Sequence, residues 1–162
     1  TAGRVEGQLW LRVRLSQRPN SSAAWIPAAR TRILRNPWRI SVSRAQRKVR
    51  VLRAGRTISR FRVVVGEPGT PTHTGLFAVF EIERYGDPYG FLGRFALHLS
   101  AHSNTLDSFG GGKGRVAFHG RGGESLLDPL GSAASHGCVR MNNSRIRFLF
   151  KRIPTGTPVR IS

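Results

Sequence analysis

From Trp38 onward, apolar residues recur at every second position: Ile40 and Val42, then Val49 and Val51, then Phe61, Val63 and Val65. Period two places successive side chains on opposite faces of a strand, so each run buries one face and wets the other. Ala54-Gly55 falls between two of these runs as a turn, which makes them antiparallel neighbours. Further strands are expected at Gly75 to Ile82, Phe95 to Leu99, Arg115 to His119 and Val159 to Ser162. Glycine and proline clusters separate them, a pattern that favours a sandwich over a parallel α/β sheet. One helix is expected, capped by Asn143 or Ser144, with Ile146, Leu149, Phe150 and Ile153 on one face and Pro154 as its stop. The expected fold is all-β: a β-sandwich of mixed and antiparallel sheets with one short C-terminal helix.

Ahead of this region, Leu9 to Leu15 alternates apolar and polar residues, Gln17 to Ser22 is turn-like, and Trp25-Ile26-Pro27 resumes an apolar run. This reads as a hairpin. With its Trp-Ile-Pro closing strand it resembles the end of a bacterial SH3-like module. Asn36-Pro37 marks the boundary, because proline disfavours continued regular structure in the residue before it. Residues 1–36 are therefore expected to form a partial SH3-like hairpin and linker, and residues 37–162 the main domain. A chain of 162 residues with 39% apolar composition has enough material for one real core. It carries no apolar run long enough to span a bilayer and opens at Thr1 without a signal peptide. An export signal is thus expected to be absent from it. One cysteine excludes an internal disulfide and is compatible with a cytosolic protein or an exported thiol enzyme.

The formal charge of +19, carried almost entirely by arginine, attracts anionic polymers through long-range fields. Nucleic acid and a bacterial wall rich in carboxylates and phosphodiesters both qualify, and charge does not separate them. The arginines are spread between apolar positions, as in Val49-Arg50-Val51 and Arg60-Phe61-Arg62-Val63, the pattern of strands with one solvated face. No zinc-finger spacing, Walker loop or helix-turn-helix pattern accompanies them, so no specific nucleic-acid partner is expected.

The chemistry is concentrated in Ser135-His136-Gly137-Cys138-Val139-Arg140, with His119-Gly120 a short loop upstream. A nearby imidazole lowers a thiol's pKa or takes its proton, so that sulfur can attack a carbonyl at neutral pH. Gly137 removes bulk directly before the sulfur, and the backbone N–H groups of Gly137 and Cys138 are positioned to face a developing oxyanion. If Ser135 to Cys138 is extended, His136 and Cys138 point into one pocket, and either histidine serves as the base. Arg140 is a substrate-contact candidate, because a guanidinium pairs in a bidentate way with a carboxylate; a solvated charge is the alternative. Ser135 suits orientation of the segment by hydrogen bonds to backbone. Asp128-Pro129 reads as a turn starter, so Asp128 is expected to be structural. His98 and His102 are expected to pack in a strand or at its edge, and no metal or cofactor site is expected. Gly110-Gly111-Gly112 lacks a following Lys-Ser/Thr and helix, so a loop beside the site is expected there and no phosphate cradle.

A histidine, a variable loop and then Ser/Thr-His-Gly-Cys resembles the signature of the L,D-transpeptidase catalytic domain family, YkuD type. Here it reads His119, the loop from Gly120 to Ala134, and Ser135 to Cys138. The resemblance takes in a Gly-Xaa-Pro turn and Thr-rich segment at Gly66 to Gly75, and it covers Pro37 to the C-terminus. Arg140 stands where many members carry asparagine, and His73 where the family often has proline; His73 is expected to be a solvated loop residue. The resemblance implies that Cys138, His119, His136 and Gly137 form the catalytic set, with His119 as base and His136 lining the oxyanion site. Arg140, Gly120 and Ser135 are then the substrate-binding candidates. It also implies peptidoglycan stem peptides as partners, a thioester on the cysteine, and transfer to an amine that creates 3–3 cross-links. Inactivation by carbapenems and a role in wall biogenesis and cell shape, at an extracytoplasmic location in the wall or periplasm, belong to the same implication. Anionic wall polymers are expected partners, and the chain is expected to be monomeric. The alternatives are an L,D-carboxypeptidase using water as acceptor, and a non-catalytic basic module that binds wall polymer or nucleic acid. A peptidase of the NlpC/P60 type is disfavoured, because there the cysteine precedes its histidine.

Overall fold

The computed structural model describes residues 2–105, 107–108 and 114–162. The glycine run at 110–112 lies outside them. The alternating apolar runs become strands as the period requires. β4 (Trp38–Ser43), β5 (Lys48–Arg53) and β6 (Arg56–Arg62) form an antiparallel meander, with Ile40, Val42, Val49 and Val51 buried and Arg39, Lys48, Arg50, Arg60 and Arg62 exposed. Ala54 and Gly55 both take positive φ, 48° and 79°, which is the primed hairpin turn whose twist suits neighbouring strands. The Phe61, Val63, Val65 alternation does not continue as one strand. β6 ends at Arg62, Val64 bridges to Arg140, and β7 (Val65–Gly66) joins a separate pair. Burial of all three consecutive valines, Val63, Val64 and Val65, marks where the chain crosses the core and leaves the sheet surface.

β8 (Gly75–Arg84), β9 (Phe95–His102) and β10 (Arg115–His119) continue the main sheet, and β11 (Ala133–Ser135) pairs in parallel with β7. β12 (Val139–Arg140) lies parallel to β10, α1 (Asn143–Phe150) follows it, and β13 (Pro158–Ile161) slots between β8 and β4. The result is an eight-stranded mixed sheet in the order β12-β10-β9-β8-β13-β4-β5-β6, curled around one apolar core, with the two-stranded β11-β7 sheet beside it. Among the described residues the fold is mostly β with one α-helix, as its sequence leads one to expect. Core residues come from nearly every strand, including Val42, Phe77, Leu97, Phe118 and Val139, and α1 adds Ile146 and Leu149. Each such apolar side chain contributes about 1.5–3 kcal/mol through removal from water.

Asn142, one residue before the expected cap, occupies the N-cap position of α1 without a side-chain hydrogen bond. Asn143 is used differently: its side chain holds the backbone of Arg121, accepting from the Arg121 N–H at 2.8 Å and donating to the Arg121 carbonyl at 2.9 Å. At the other end of the chain, the expected hairpin gains a third strand. β1 (Ala2–Val5), β2 (Gln8–Arg14) and β3 (Ala23–Pro27) make a small antiparallel sheet. Its Ser16–Asn20 turn reaches the main sheet near the end of β9. The Asn20 amide donates to the His102 carbonyl at 2.7 Å and accepts from the His102 N–H at 2.8 Å, while Arg115 Nη1 donates to Ser16 Oγ at 2.6 Å. No helix among the described residues is long and apolar enough to cross a membrane.

Candidate active site

β10 ends at His119, and β12 begins just past Cys138 on the neighbouring strand, with His119 in register with Arg140. Adjacent parallel strands thus bring the two signature segments to one place. Phe91, Arg115, His119, His136, Cys138 and Arg140 are among the residues lining a single cleft of about 350 Å³.

Residues 136–138 are not an extended strand. The chain turns between β11 and β12, and Gly137 takes φ 109°, a conformation in which any side chain is strained. His136 and Cys138 still face the same cleft, the first exposed and the second half-buried, because the turn rather than strand alternation aims them. Ser135 builds this turn. Its buried Oγ donates to the Cys138 carbonyl at 2.5 Å and accepts from the Gly137 N–H at 3.2 Å. Both bonds are to backbone, so Ser135 orients the cysteine. The Gly137 N–H, expected to face an oxyanion, is spent within the turn. Behind it, the Ser135 carbonyl accepts from the Glu67 N–H at 2.9 Å and from Thr70 Oγ1 at 3.3 Å, which seats the turn on the Thr-rich segment.

His119 is 1% exposed, and its Nδ1 lies 2.8 Å from the Gly120 carbonyl oxygen. A carbonyl only accepts, so Nδ1 carries the proton and Nε2 the lone pair. Burial lowers His119 to about 4; the Gly120 carbonyl opposes this and the charge of Arg140 adds to it. Burial also pushes the Cys138 thiol up, against a backbone hydrogen bond from Ala117 and the charge of Arg140. At neutral pH both side chains are therefore uncharged, a thiol and an imidazole lining one cleft.

The depressed histidine also ties stability to pH. The unfolded chain binds a proton at this side chain near 6.5 and the native chain only near 4. The stabilisation is complete above 6.5 and is lost as pH falls towards 4, about 3 kcal/mol in all. Denaturant unfolding at pH 7 and pH 4 should show wild type losing that much more than His119→Gln; equal losses in both would remove His119 as the cause.

Gly120 is required by packing. A Cβ there would lie 2.2 Å from Asn143 Oδ1 and 3.3 Å from the Leu92 carbonyl oxygen. The glycine lets α1 approach the backbone that orients His119. Arg140 is not a solvated charge: it is 3% exposed, ion-paired with Asp128 and stacked 4.7 Å above the Phe91 ring. Asp128 thus has a duty that its turn context hid. Arg140 Nε is buried without a hydrogen-bond partner in the cleft wall. Sequence reasoning gave no site role to Arg115, whose carbonyl lies 4.0 Å from Cys138 Sγ, and gave Asn143 only a helix-cap role. Neither stands in a recognisable motif.

His98 pairs with Glu83 at 2.9 Å, and His73 Nδ1 accepts from the Asn104 amide at 3.0 Å. Among the described residues no three His, Cys, Asp or Glu side chains gather as a metal site.

The L,D-transpeptidase catalytic domain profile, YkuD, matches residues 37–161. The chain belongs to this family. Among L,D-transpeptidase relatives, YkuD of Bacillus licheniformis is 31% identical over 126 residues, which cover 78% of this chain and 66% of the relative. The chain thus spans just under two thirds of the curated relatives it matches. The catalytic domain of the Enterococcus faecium L,D-transpeptidase superposes with a TM-score of 0.57 at 19% identity, covering 77% of this chain and 96% of that one. L,D-transpeptidase 3 from Mycobacterium tuberculosis gives 0.59 at 16% identity, covering 78% and 61%. At such identities these structures speak to fold, and the L,D-transpeptidase fold is the one described above.

Proposed function

We propose that the chain is a peptidoglycan L,D-transpeptidase, with residues 37–162 as its catalytic domain and residues 1–36 as a partial SH3-like segment and linker. The observation that carries this reading is the neutral His119, tied through Nδ1 to Gly120 and opening onto the same cleft as the single thiol. Cys138 Sγ attacks the carbonyl carbon of the L-to-D amide in a tetrapeptide stem while His119 Nε2 takes the thiol proton. The tetrahedral oxyanion is met by the Cys138 N–H and by His136. On collapse the C–N bond breaks, His119 returns the proton to the departing amine, and a thioester remains. An acceptor amine then repeats the sequence in reverse, losing its proton to His119, and the sulfur leaves to regain that proton. Gly137 supplies the turn that aims the sulfur, and Ser135 and Gly120 hold the turn and the base. Arg140, fixed by Asp128 and Phe91 with a buried Nε donor unused, meets a polar group of the stem. The chain works as a monomer outside the cytoplasm, where anionic wall polymers concentrate it.

Mass spectrometry of products from a defined disaccharide-tetrapeptide tests this reading. A 3–3 linked dimer with released terminal D-amino acid is expected. Tripeptide alone would make the chain an L,D-carboxypeptidase. No reaction, together with polymer binding that survives alkylation of Cys138, would make it a non-catalytic binding module.

A further inference from the structure

The curled sheet carries its strongest charge far along the strand order from the cleft. No Asp or Glu occurs between Glu6 and Glu67, nor after Asp128, so β4, β5, β6 and β13 contain no carboxylate. Ile40, Val42, Val49, Val51, Val159 and Ile161 point inward and are buried, and the outward cations are Arg39, Lys48, Arg50, Arg60, Arg62 and Arg160. On this outward face the register sets Lys48 opposite Arg62 and Arg50 opposite Arg60. Like charges directly across a ladder destabilise it. None of the ion pairs among the described residues, Arg18–Asp107, His98–Glu83 and Arg140–Asp128, relieves this face. An arrangement that costs stability and is left uncompensated is what an anionic partner would neutralise.

The face also has a shape. Ser41, Ser43, Gln46, Lys48, Arg50 and Arg60 line most of an open groove of about 870 Å³. With Ser162, three hydroxyls and an amide stand among three cations, a donor-rich lining suited to phosphate oxygens. Outward positions on one strand repeat about every 6.7 Å, so cations follow one another at a spacing that a linear polyanion can match. The outward positions of β4, β5, β6 and β13 hold no aromatic ring, so the base stacking on which single-strand nucleic-acid binding relies has no platform. We infer that the outward face of β4, β5, β6 and β13 is a docking site for a linear phosphodiester polymer of the cell envelope. The envelope as the source of that polymer rests on the transpeptidase reading; the site itself rests on the register and the groove. Bound there, the polymer holds the enzyme on the wall and leaves the cleft open to stems.

The test compares wild type, a Lys48→Gln/Arg50→Gln/Arg60→Gln variant, and an Arg30→Gln/Arg32→Gln/Arg35→Gln control with the same charge loss in the exposed stretch before β4. Poly(glycerol phosphate) and a DNA duplex of equal charge are titrated across a salt series, and turnover of a soluble tetrapeptide is followed in parallel. The groove variant should bind the polymer at least about tenfold more weakly, with a salt slope lower by about 2, because three cations no longer release counterions. The control should bind it nearly as well as wild type, and all three proteins should turn over the soluble stem equally. Loss of like-charge pairs should leave the groove variant melting at or above the wild-type temperature, which separates lost binding from lost folding. Equal weakening in both variants would reduce the effect to net charge and overturn the site, as would polymer binding unchanged in the groove variant. Tighter groove-dependent binding of DNA than of the polymer would overturn the polymer assignment. Groove-dependent polymer binding in a wild type that turns over no stem would sustain the site and sink the transpeptidase reading.

Discussion

Cys138→Ala is expected to lower turnover of a tetrapeptide stem by at least about 10³-fold, because nothing else at the turn can form the acyl-enzyme. The substitution removes one sulfur from a half-buried position. Ser135 bonds the Cys138 carbonyl and the Gly137 N–H, leaving the cysteine side chain out of the turn's own hydrogen bonds. The fold should therefore survive, with a melting temperature within about 2 °C of wild type, the shift expected for a change of under 1 kcal/mol. Turnover and a thermal melt on the same preparation check both halves. Turnover above about a tenth of wild type would show that the thiol is not the nucleophile.

His119→Ala should slow acylation by on the order of 10²–10⁴-fold, the usual worth of a general base. Single-turnover acylation read by intact mass isolates that step. His136→Ala should cost less, since it touches only the developing oxyanion. Rapid acylation by His119→Ala beside an inert His136→Ala would exchange the two roles. The pH profile adds a sharper mark. Because His119 is lowered to about 4 and the thiol is raised, acylation by wild type should hold its rate down to pH values well below 6.5 and fall as pH approaches 4. A preformed thiolate–imidazolium pair would instead show its acid limb at the thiol's own depressed pKa.

Much of this is legible in the sequence itself. Period-two alternation is a local signal, and β4, β5 and β13 follow it closely, while β10 is buried at four consecutive positions from Val116 to His119. The paired histidine and cysteine segments are equally local, and one parallel pairing, Phe118 with Val139, joins them. What escaped depends on contacts distant in sequence or on backbone signs. Arg140 and Asp128 carry no pattern that announces an ion pair, and Asn20 meets His102 across 82 residues of chain. The positive φ of Gly137 converts an expected strand into a turn, and the identity of the residue permits that without requiring it. β1 was hidden because Ala2–Val5 has no buried residue to set up an alternation.

The Ser16–Asn20 turn changes what the start of the family match at residue 37 means. Arg115 grips Ser16 with its guanidinium and presents its carbonyl 4.0 Å from the sulfur, so one residue touches both the appendage and the reacting atom. Asn20 fastens His102, the ladder partner of Arg115, through a two-way amide bond. The line that separates the two parts in sequence is thus crossed by a mechanical strut. Trimming the protein to its homologous portion would leave the nucleophile in place and unbolt one wall of the chamber in which it works.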